Sequence, residues 1–340
     1  MKILKWLLIA VVVLIVAAVG TAFMLPDTSH VERSTTIAAR PATVFAVING
    51  YRQFNKWSPW ADKDPNTKYQ IEGPMTGVGA KQSWQSEDPN VGSGSQEIVE
   101  SVPNRKLKTK LVFADFPSDN WAELSLTPEG ESTRLLWTFD MNCNGSLMCR
   151  CFGVMMDSML GPDYEHGLAK LKSFAETLPK DDFSDLQAEV VETRPVTIAY
   201  ASGEASTDQA AARLGELYAK VLAFIKSSGA NQSSAPMAIT RAFDDKTKFW
   251  KFDAALPVDK VDLVAPPDSE VKVTQTYAGK AIKVTHKGAY AAMEPTYAKL
   301  IAFKSASGFE DNGNSWEHYI SDAKTTPEAD LVTYIYWPVK

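Results

Sequence analysis

One carboxylate near the end of the chain lies in a stretch rich in aromatic residues. Glu317 and Tyr319 are two positions apart in a strand-like segment, so their side chains share one face of that strand. A carboxylate among rings can neutralise a bound cation while the rings supply cation–π contacts. If it is desolvated, its pKa rises and it can donate or accept a proton near neutral pH. The alternative is a solvated edge glutamate beside ordinary core aromatics. The candidate aromatic neighbours of the carboxylate are Trp316, Tyr319, Tyr334, Tyr336 and Trp337.

Two tryptophans in the first half of the chain are further candidates for ligand contact. Trp57 and Trp60 bracket a turn that contains Pro59. Their rings could line the mouth of a ligand cavity or cap a hydrophobic core, and the sequence leaves both interpretations open.

The sequence predicts neither a metal nor a cofactor. The three cysteines, Cys143, Cys149 and Cys151, lack the fourth spaced ligand of a zinc site. His-Glu-x-x-His, Gly-x-Ser-x-Gly, Walker-loop and Cys-x-x-Cys motifs are absent from the sequence. We expect buried, unpaired thiols. In an oxidising compartment, a disulfide from Cys143 to one of the other two is the alternative.

Length and charge bound the kind of protein. A chain of 340 residues predicts two or three domains, and 45% hydrophobic with 22% charged residues is typical of a globular chain. Lys and Arg number 35 against 41 Asp and Glu, so the net charge is −6. Because Lys2 and Lys5 precede an apolar run, the remaining body is more acidic still, which argues against a nucleic-acid partner.

The segment 6–25 predicts a membrane anchor. It contains no charged residue, and a helix of twenty residues spans the ~30 Å hydrocarbon layer. A cleaved signal peptide is the alternative, but the apolar stretch exceeds the ~7–15 residues of a usual signal core. Lys2 and Lys5 place the N-terminus in the cytoplasm by the positive-inside rule. We therefore expect a single-pass protein of the inner (cytoplasmic) membrane with its body on the periplasmic side.

The body divides at a polar linker, residues 179–186, which Pro179 opens. The stretch 29–178 begins with an extended segment and a short helix from Pro41. Strand-like runs separated by turn residues follow, and then a long helical pattern over 147–176 that is interrupted at Gly161-Pro162. This order predicts an α+β domain in which the long helix lies across the concave face of a curved antiparallel sheet.

The stretch 187–340 contains an internal repeat. The segment from Tyr218 to Gly229 and the segment from Tyr297 to Gly308 are 79 residues apart, and seven of their twelve positions are identical. Each is a predicted helix that ends at glycine, with one strand before it and two after it. We expect a duplicated β-α-β-β unit, which forms a pseudo-twofold domain with a central cleft.

The segment 29–177 resembles the START-like helix-grip superfamily (SRPBCC), in its polyketide cyclase/dehydrase branch. The resemblance rests on Phe54-Asn-Lys-Trp57-Ser-Pro-Trp60, Gly77-Val-Gly79, Ile98-Val-Glu-Ser-Val-Pro103 and Gly161-Pro-Asp-Tyr-Glu-His-Gly167. It implies a seven-stranded sheet that grips a long helix around an apolar cavity. The implied role is to hold a ligand, often a lipid or a polycyclic compound, and only some members are catalysts.

The segment 187–340 resembles the gyrase-inhibitor-like small-molecule-binding domain, which is also the effector-binding half of AraC-type regulators. The resemblance rests on the run from Trp316 to Val339 and on His286-Lys-Gly288-Ala-Tyr290. It implies that Glu317 lies in the central cleft and binds cationic or planar aromatic ligands, with Tyr290 nearby. Some members are reported to hydrolyse reactive cyclopropane-bearing compounds. Tyr334 stands where an acidic residue is usual, which makes the cleft more aromatic and less anionic.

Three functional hypotheses follow. The favoured one is a membrane-tethered binding protein that senses or sequesters small hydrophobic or planar, cationic aromatic molecules at the cell envelope. The second is a hydrolase of reactive small molecules, with Glu317 as general acid or base and Tyr319 assisting. The third is lipid binding or handling by the helix-grip cavity.

Overall fold

The computed structural model describes residues 2–114 and 116–340. The chain divides into two compact units, Met1–Ser184 with Ala302–Gly308, and Asp185–Ile301 with Phe309–Lys340. Each unit combines an antiparallel sheet with helices, which confirms the α+β class.

The chain begins with helix α1, Lys2–Met24. Within it, Leu4–Met24 has a mean hydropathy of 2.9 and is long and apolar enough to cross a membrane. Almost all of its apolar side chains whose burial is described are exposed.

A seven-stranded antiparallel sheet, ordered β1-β7-β6-β5-β4-β3-β2, forms the first unit. Along β7 the burial alternates, because successive side chains point to opposite faces. Three short helices connect β1 to β2: α2 (Pro41–Ile48), α3 (Phe54–Trp57) and α4 (Trp60–Lys63). The strands are β1 (Thr28–Ile37), β2 (Lys68–Glu72), β3 (Lys81–Gln85), β4 (Ser93–Val102), β5 (Lys106–Phe113), β6 (Phe116–Glu129) and β7 (Ser132–Asn142).

The long helix α5, Leu147–Ala175, closes this unit. Ser146 caps it by accepting a hydrogen bond from the Cys149 amide at 3.4 Å. The helix runs through Gly161-Pro162, where the sequence predicted an interruption. Glycine at position 161 leaves room for the Arg33 side chain, because a β-carbon there would collide with the Arg33 guanidinium. The apolar side chains buried in its second half include Leu168 and Leu171, on the face turned to the core.

The cysteines differ from the expectation of unpaired thiols. Cys143 and Cys149 form a disulfide, and Cys151 is free and exposed. The reason is the turn between β7 and α5, where Asn144 and Gly145 have positive φ and reverse the chain. The first turn of α5 thereby returns Cys149 to within 5.3 Å of Cys143, measured between Cα atoms.

An eight-stranded antiparallel sheet, one helix and the first part of a second helix form the second unit, because Ala302–Gly308 belong to the first unit. The strand order is β12-β9-β11-β10-β14-β15-β13-β8. The helices are α6 (Ala210–Ser227) and α7 (Met293–Ser307), and the 3₁₀ turn Tyr290–Ala292 precedes α7. The strands are β8 (Ala188–Thr193), β9 (Thr197–Ser206), β10 (Met237–Asp244), β11 (Phe249–Pro257), β12 (Lys272–Gln275), β13 (Gly279–Lys287), β14 (Trp316–Tyr319) and β15 (Val332–Pro338).

The two halves of this sheet exchange their edge strands. One half is β9-α6-β10-β11 and the other is β13-α7-β14-β15, as the repeat predicts. The predicted strand over 190–199 is two strands, however, because the chain breaks at 194–196. The first of the two, β8, pairs with β13 of the other half, and β12 correspondingly pairs with β9. Each repeat is therefore β-β-α-β-β.

Candidate functional site

Glu317 lies at the point where the two repeats meet. Strands β10 and β14 are neighbours at the centre of the sheet, and Ala238 is paired directly with Glu317. These two residues are also 79 positions apart, so the repeat makes them counterparts. The pseudo-twofold axis thus passes between them, with a carboxylate on one side and a small side chain on the other.

The Glu317 carboxylate is enclosed and hydrogen bonded by two phenols. The residue is only 4% exposed. Tyr297, from α7, donates to its Oε1 at 2.7 Å, and Tyr319, from the same strand, donates to its Oε2 at 2.5 Å. The prediction that Glu317 and Tyr319 share a face is thereby confirmed.

Burial raises the pKa of Glu317, although the hydrogen bonds from Tyr319 and Tyr297 act in the opposite direction. Burial and the neighbouring carboxylate also hold the pKa values of both phenols well above 10. In the described part of the chain, no basic side chain contributes to the pKa of Glu317. Burial and the two phenol hydrogen bonds therefore act on the Glu317 carboxyl group in opposite directions, and burial has the larger effect.

The repeat places a second tyrosine opposite the first. Tyr218 of α6 is the counterpart of Tyr297, but its hydroxyl donates to the Met237 carbonyl at 2.8 Å instead of to a carboxylate. Burial raises its pKa, and the charge of Glu317 adds to this. Tyr218 and Tyr297 were not predicted as site residues. The signal that could have identified them is that each is the first residue of a repeated segment.

Tyr290 lies on the outer side of Tyr319. Their ring centroids are 5.2 Å apart in an edge-to-face arrangement, and Tyr290 is half-buried. Its position is set by His286, whose ring nitrogens contact Thr296 Oγ1 at 2.8 Å and the Ala289 carbonyl at 3.1 Å. Burial raises the pKa of Tyr290 as well. The motif around His286 thus positions a ring beside the buried pair.

Three predicted aromatic neighbours lie on the opposite face of the sheet, which corrects the expectation that they surround the carboxylate. Trp316 stacks on Tyr336 with centroids 4.8 Å apart, in a cluster separate from the one that contacts Tyr319. Tyr334 is paired with His318, the residue between Glu317 and Tyr319. The physical reason is the two-residue period of strands, which turns direct neighbours of Glu317 away from it.

Trp337 is the remaining predicted member of the C-terminal group. Its ring lies 6.4 Å from that of Tyr297, measured between centroids. Its indole nitrogen donates to Asp311 Oδ1 at 2.5 Å. The aromatic residues near Glu317 are four tyrosines, here called the tyrosine cluster: Tyr218, Tyr290, Tyr297 and Tyr319.

The two candidate tryptophans, Trp57 and Trp60, belong to one aromatic group in the first unit. Trp57 is buried, with its ring 4.9 Å from Phe54 and 5.5 Å from Trp137. Trp60 is half-buried and its ring lies 6.1 Å from Trp137. Trp137 in turn stacks on Tyr164 of α5 at 3.8 Å. Trp57 therefore packs in the core, while Trp60 lies at its margin.

The polar groups at the site are one carboxyl group and the phenols that donate to it. Over residues 2–114 and 116–340, no group of three or more His, Cys, Asp or Glu side chains is arranged to hold a metal ion. A protonated acid flanked by phenols can donate a hydrogen bond, exchange its proton for an organic cation, or transfer a proton to a substrate.

Two family models match the chain. Residues 28–176 match the model described as polyketide cyclase / dehydrase and lipid transport, and residues 186–340 match the GyrI-like small molecule binding domain. The matches confirm the predicted pair of families and their order, and they support a ligand-binding role.

Solved structures with a similar fold have low sequence identity. The EcmrR C-terminal domain is 16% identical, with 46% of this chain and 98% of that chain covered and a TM-score of 0.39. An uncharacterized conserved protein from Listeria innocua is 18% identical, with coverages of 45% and 92% and a TM-score of 0.36. A norcoclaurine synthase point mutant of Thalictrum flavum, in complex with a transition-state analogue, is 12% identical, with coverages of 44% and 94% and a TM-score of 0.35. No curated protein matches the chain.

Proposed function

For a chain that joins a polyketide cyclase/dehydrase-type domain to a GyrI-like small molecule binding domain, we propose a membrane-tethered binding protein for planar, cationic aromatic molecules. Its role is sensing or sequestration at the cell envelope. The observation that carries the proposal is the enclosed Glu317 carboxylate, which two phenols hold in place and beside which the described residues place no basic side chain.

The binding reaction is an exchange of a proton for an organic cation. Burial disfavours the ionised form of Glu317 in the ligand-free site, and the hydrogen bonds from Tyr297 and Tyr319 offset only part of this cost. A cationic ligand pairs with the ionised carboxylate and thereby favours release of the Glu317 proton. The rings of the tyrosine cluster supply cation–π contacts to the ligand. A neutral ligand of the same shape gains the ring contacts but not the charge pairing.

The test compares N-methylacridinium, a permanent cation, with uncharged acridine. Full-length chain in lipid nanodiscs is titrated with each dye by fluorescence, and empty nanodiscs serve as the blank. We expect the cation to bind more tightly as the pH rises through the raised pKa of Glu317, and Glu317→Gln to abolish that rise. Acridine should bind both proteins alike. A pH-independent affinity for the cation in the wild type would refute the exchange.

A hydrolase remains a second candidate because a carboxyl group with a raised pKa also suits proton transfer. The same titrations distinguish it when each compound is recovered and its mass measured. Chemical change that depends on Glu317, with binding retained in Glu317→Gln, would support catalysis instead of sequestration.

The tether itself has two supports. Leu4–Met24 is long and apolar enough to span a bilayer, and Lys2 and Lys5 favour a cytoplasmic N-terminus. The Cys143–Cys149 disulfide agrees with a body outside the cytoplasm, because disulfides persist in oxidising compartments. Protease added to intact spheroplasts should degrade the body if it faces the periplasm and spare it if it faces the cytoplasm.

For the first domain we propose an apolar ligand, a lipid included. The proposal rests on the match to a family whose description includes lipid transport. Lipid that remains bound through purification in detergent, identified by mass spectrometry, would support it.

A further inference from the structure

The first half of α5 exposes a continuous apolar stripe. Met148, Phe152, Met155 and Met159 recur at helical spacing of four, three and four residues, so they lie along one side of the helix. Met148 is 71% exposed, Met155 48% and Met159 56%. We call these four residues the α5 stripe. Large apolar side chains aligned in this way mark a surface that binds protein or membrane.

The opposite side of the same turns is packed inside the domain. Cys149 is bonded to Cys143, and Gly153 accepts a hydrogen bond from Ser29 at 2.9 Å. The α5 stripe is therefore not a core face that lost its partner, since the helix already has its core contacts elsewhere.

Charge is almost excluded from this half of the helix. Between Leu147 and Pro162 the only charged residues are Arg150 and Asp157. Arg150 is directed to Asp27, with its Nε 3.0 Å from the carboxylate, and Asp157 accepts from Arg33 at 2.8 Å. Neither charge therefore interrupts the stripe.

The end of α1 adjoins the stripe. Val19 and Ala22 of α1 line an apolar groove of about 390 Å³ together with Met148, Phe152 and Met155. This is the part of the candidate span where the chain leaves the hydrocarbon layer.

Two polar contacts hold the start of α5 beside the end of α1. Arg150 donates to the Phe23 carbonyl at 3.0 Å, so the first turns of α5 are bonded to the last turn of α1. Asp27 accepts from the Gly145 amide at 2.9 Å, just before α5 begins. The stripe is thus held beside the end of the candidate span.

We propose that the α5 stripe is a membrane-contacting surface whose occupant is the acyl chains of the leaflet from which α1 emerges. The inference rests on the proposed tether, because α1 supplies the level of the bilayer. Lipid chains fill the groove between α1 and α5, and the helix that closes the first domain lies against the membrane.

The test reads lipid proximity at single positions of the full-length chain. In a Cys151→Ser background, one cysteine is introduced by Met155→Cys in the stripe, by Val12→Cys in α1, or by Ser173→Cys at the far, exposed part of α5. Each is labelled with NBD in nanodiscs of phosphatidylcholine and phosphatidylglycerol in equal amounts. Lipids that carry a doxyl group either near the headgroup end of the acyl chain or near its methyl end then quench labels in the outer or the inner part of the leaflet.

The expected result is quenching at Met155→Cys that is comparable to that at Val12→Cys and several-fold greater than at Ser173→Cys. Quenching at Val12→Cys without quenching at Met155→Cys would overturn the surface and leave the tether standing. No quenching at Val12→Cys would overturn both. A blue-shifted but unquenched Met155→Cys label would mean that protein, and not lipid, covers the stripe, and would also overturn the proposal.

Discussion

At the residue scale, the site depends on which hydroxyl reaches which acceptor. Glu317 accepts from Tyr319 and Tyr297, and the repeat-related Tyr218 donates to a backbone carbonyl. The duplication therefore supplied two similar tyrosines, and only one of them was matched by a carboxylate. Ala238, the counterpart of Glu317, leaves the other side without charge.

This asymmetry gives a matched pair of variants. Tyr297→Phe removes a hydrogen bond that favours the ionised form of Glu317, so the pKa of Glu317 should rise further. The pH at which N-methylacridinium binding reaches half its full strength should move upward. A hydrogen bond to a charged group contributes about 1.5–3 kcal/mol, so affinity at neutral pH should fall roughly tenfold or more.

Tyr218→Phe is the control, since it removes a hydroxyl of the same type that has no direct bond to Glu317. Its binding midpoint should stay at the wild-type pH. Equal shifts in the two variants would show that the direct hydrogen bond is not what tunes the carboxylate.

At the scale of elements, the side-chain alternation of strands and the close packing of helices decide which side chains contact one another. The two-residue period of β14 turns Glu317 and Tyr319 toward the helices and Trp316 away from them. In α5, a β-carbon added at Gly167 would lie 2.9 Å from Trp137 Cζ3 and 3.0 Å from Pro59 Cδ. That glycine lets the helix approach the aromatic stack that contains Trp57.

Two glycine substitutions in helices should therefore have opposite effects on stability. Gly167→Ala should lower the free energy of unfolding by about 1–3 kcal/mol, because the added methyl group crowds the Trp137 ring. Gly215→Ala in α6 has open space around it and should stabilise by about 0.5–1 kcal/mol through helix propensity. Urea unfolding of both variants measures the difference. Similar effects of the two substitutions would contradict the close packing of α5.

At the scale of the whole molecule, one covalent bond fixes the junction between the sheet and the long helix of the first unit. The Cys143–Cys149 disulfide joins the end of β7 to the first turn of α5, next to the end of α1. The region where the chain leaves the candidate span is thereby cross-linked, and Cys151 remains as a free thiol.

Thiol counting tests this arrangement directly. Chains isolated without reductant and denatured should take up one alkylating group, and all three cysteines should react after reduction. By the loop-entropy argument, closing a loop of this size contributes about 2 kcal/mol, so reduction should lower the melting temperature. Cys151→Ser should abolish the first alkylation and leave the melting temperature unchanged. Three reactive thiols before reduction would contradict the disulfide.

Local pattern was sufficient for much of this molecule. The charge-free segment 6–25, the two-residue period that puts Glu317 with Tyr319, and the repeat that begins at Tyr218 and Tyr297 are all properties of neighbouring residues. Each was read from the sequence because helix length, strand alternation and duplication need no knowledge of the distant chain. The α+β class follows from the same patterns, whereas the resemblance to the two families that match rests on longer motifs such as the run from Trp316 to Val339.

The partners of those residues required the tertiary structure. Tyr297 reaches Glu317 from a helix twenty residues earlier, the edge strands β8 and β12 cross to the opposite half, and Cys143 finds Cys149 across a turn. Strand pairing and helix packing set the first two kinds of contact, and local propensity does not encode them. The disulfide depends instead on the backbone of the turn at Asn144 and Gly145. The sequence alone thus determined which reactive side chains are present, and only the tertiary structure decided which of them contact one another.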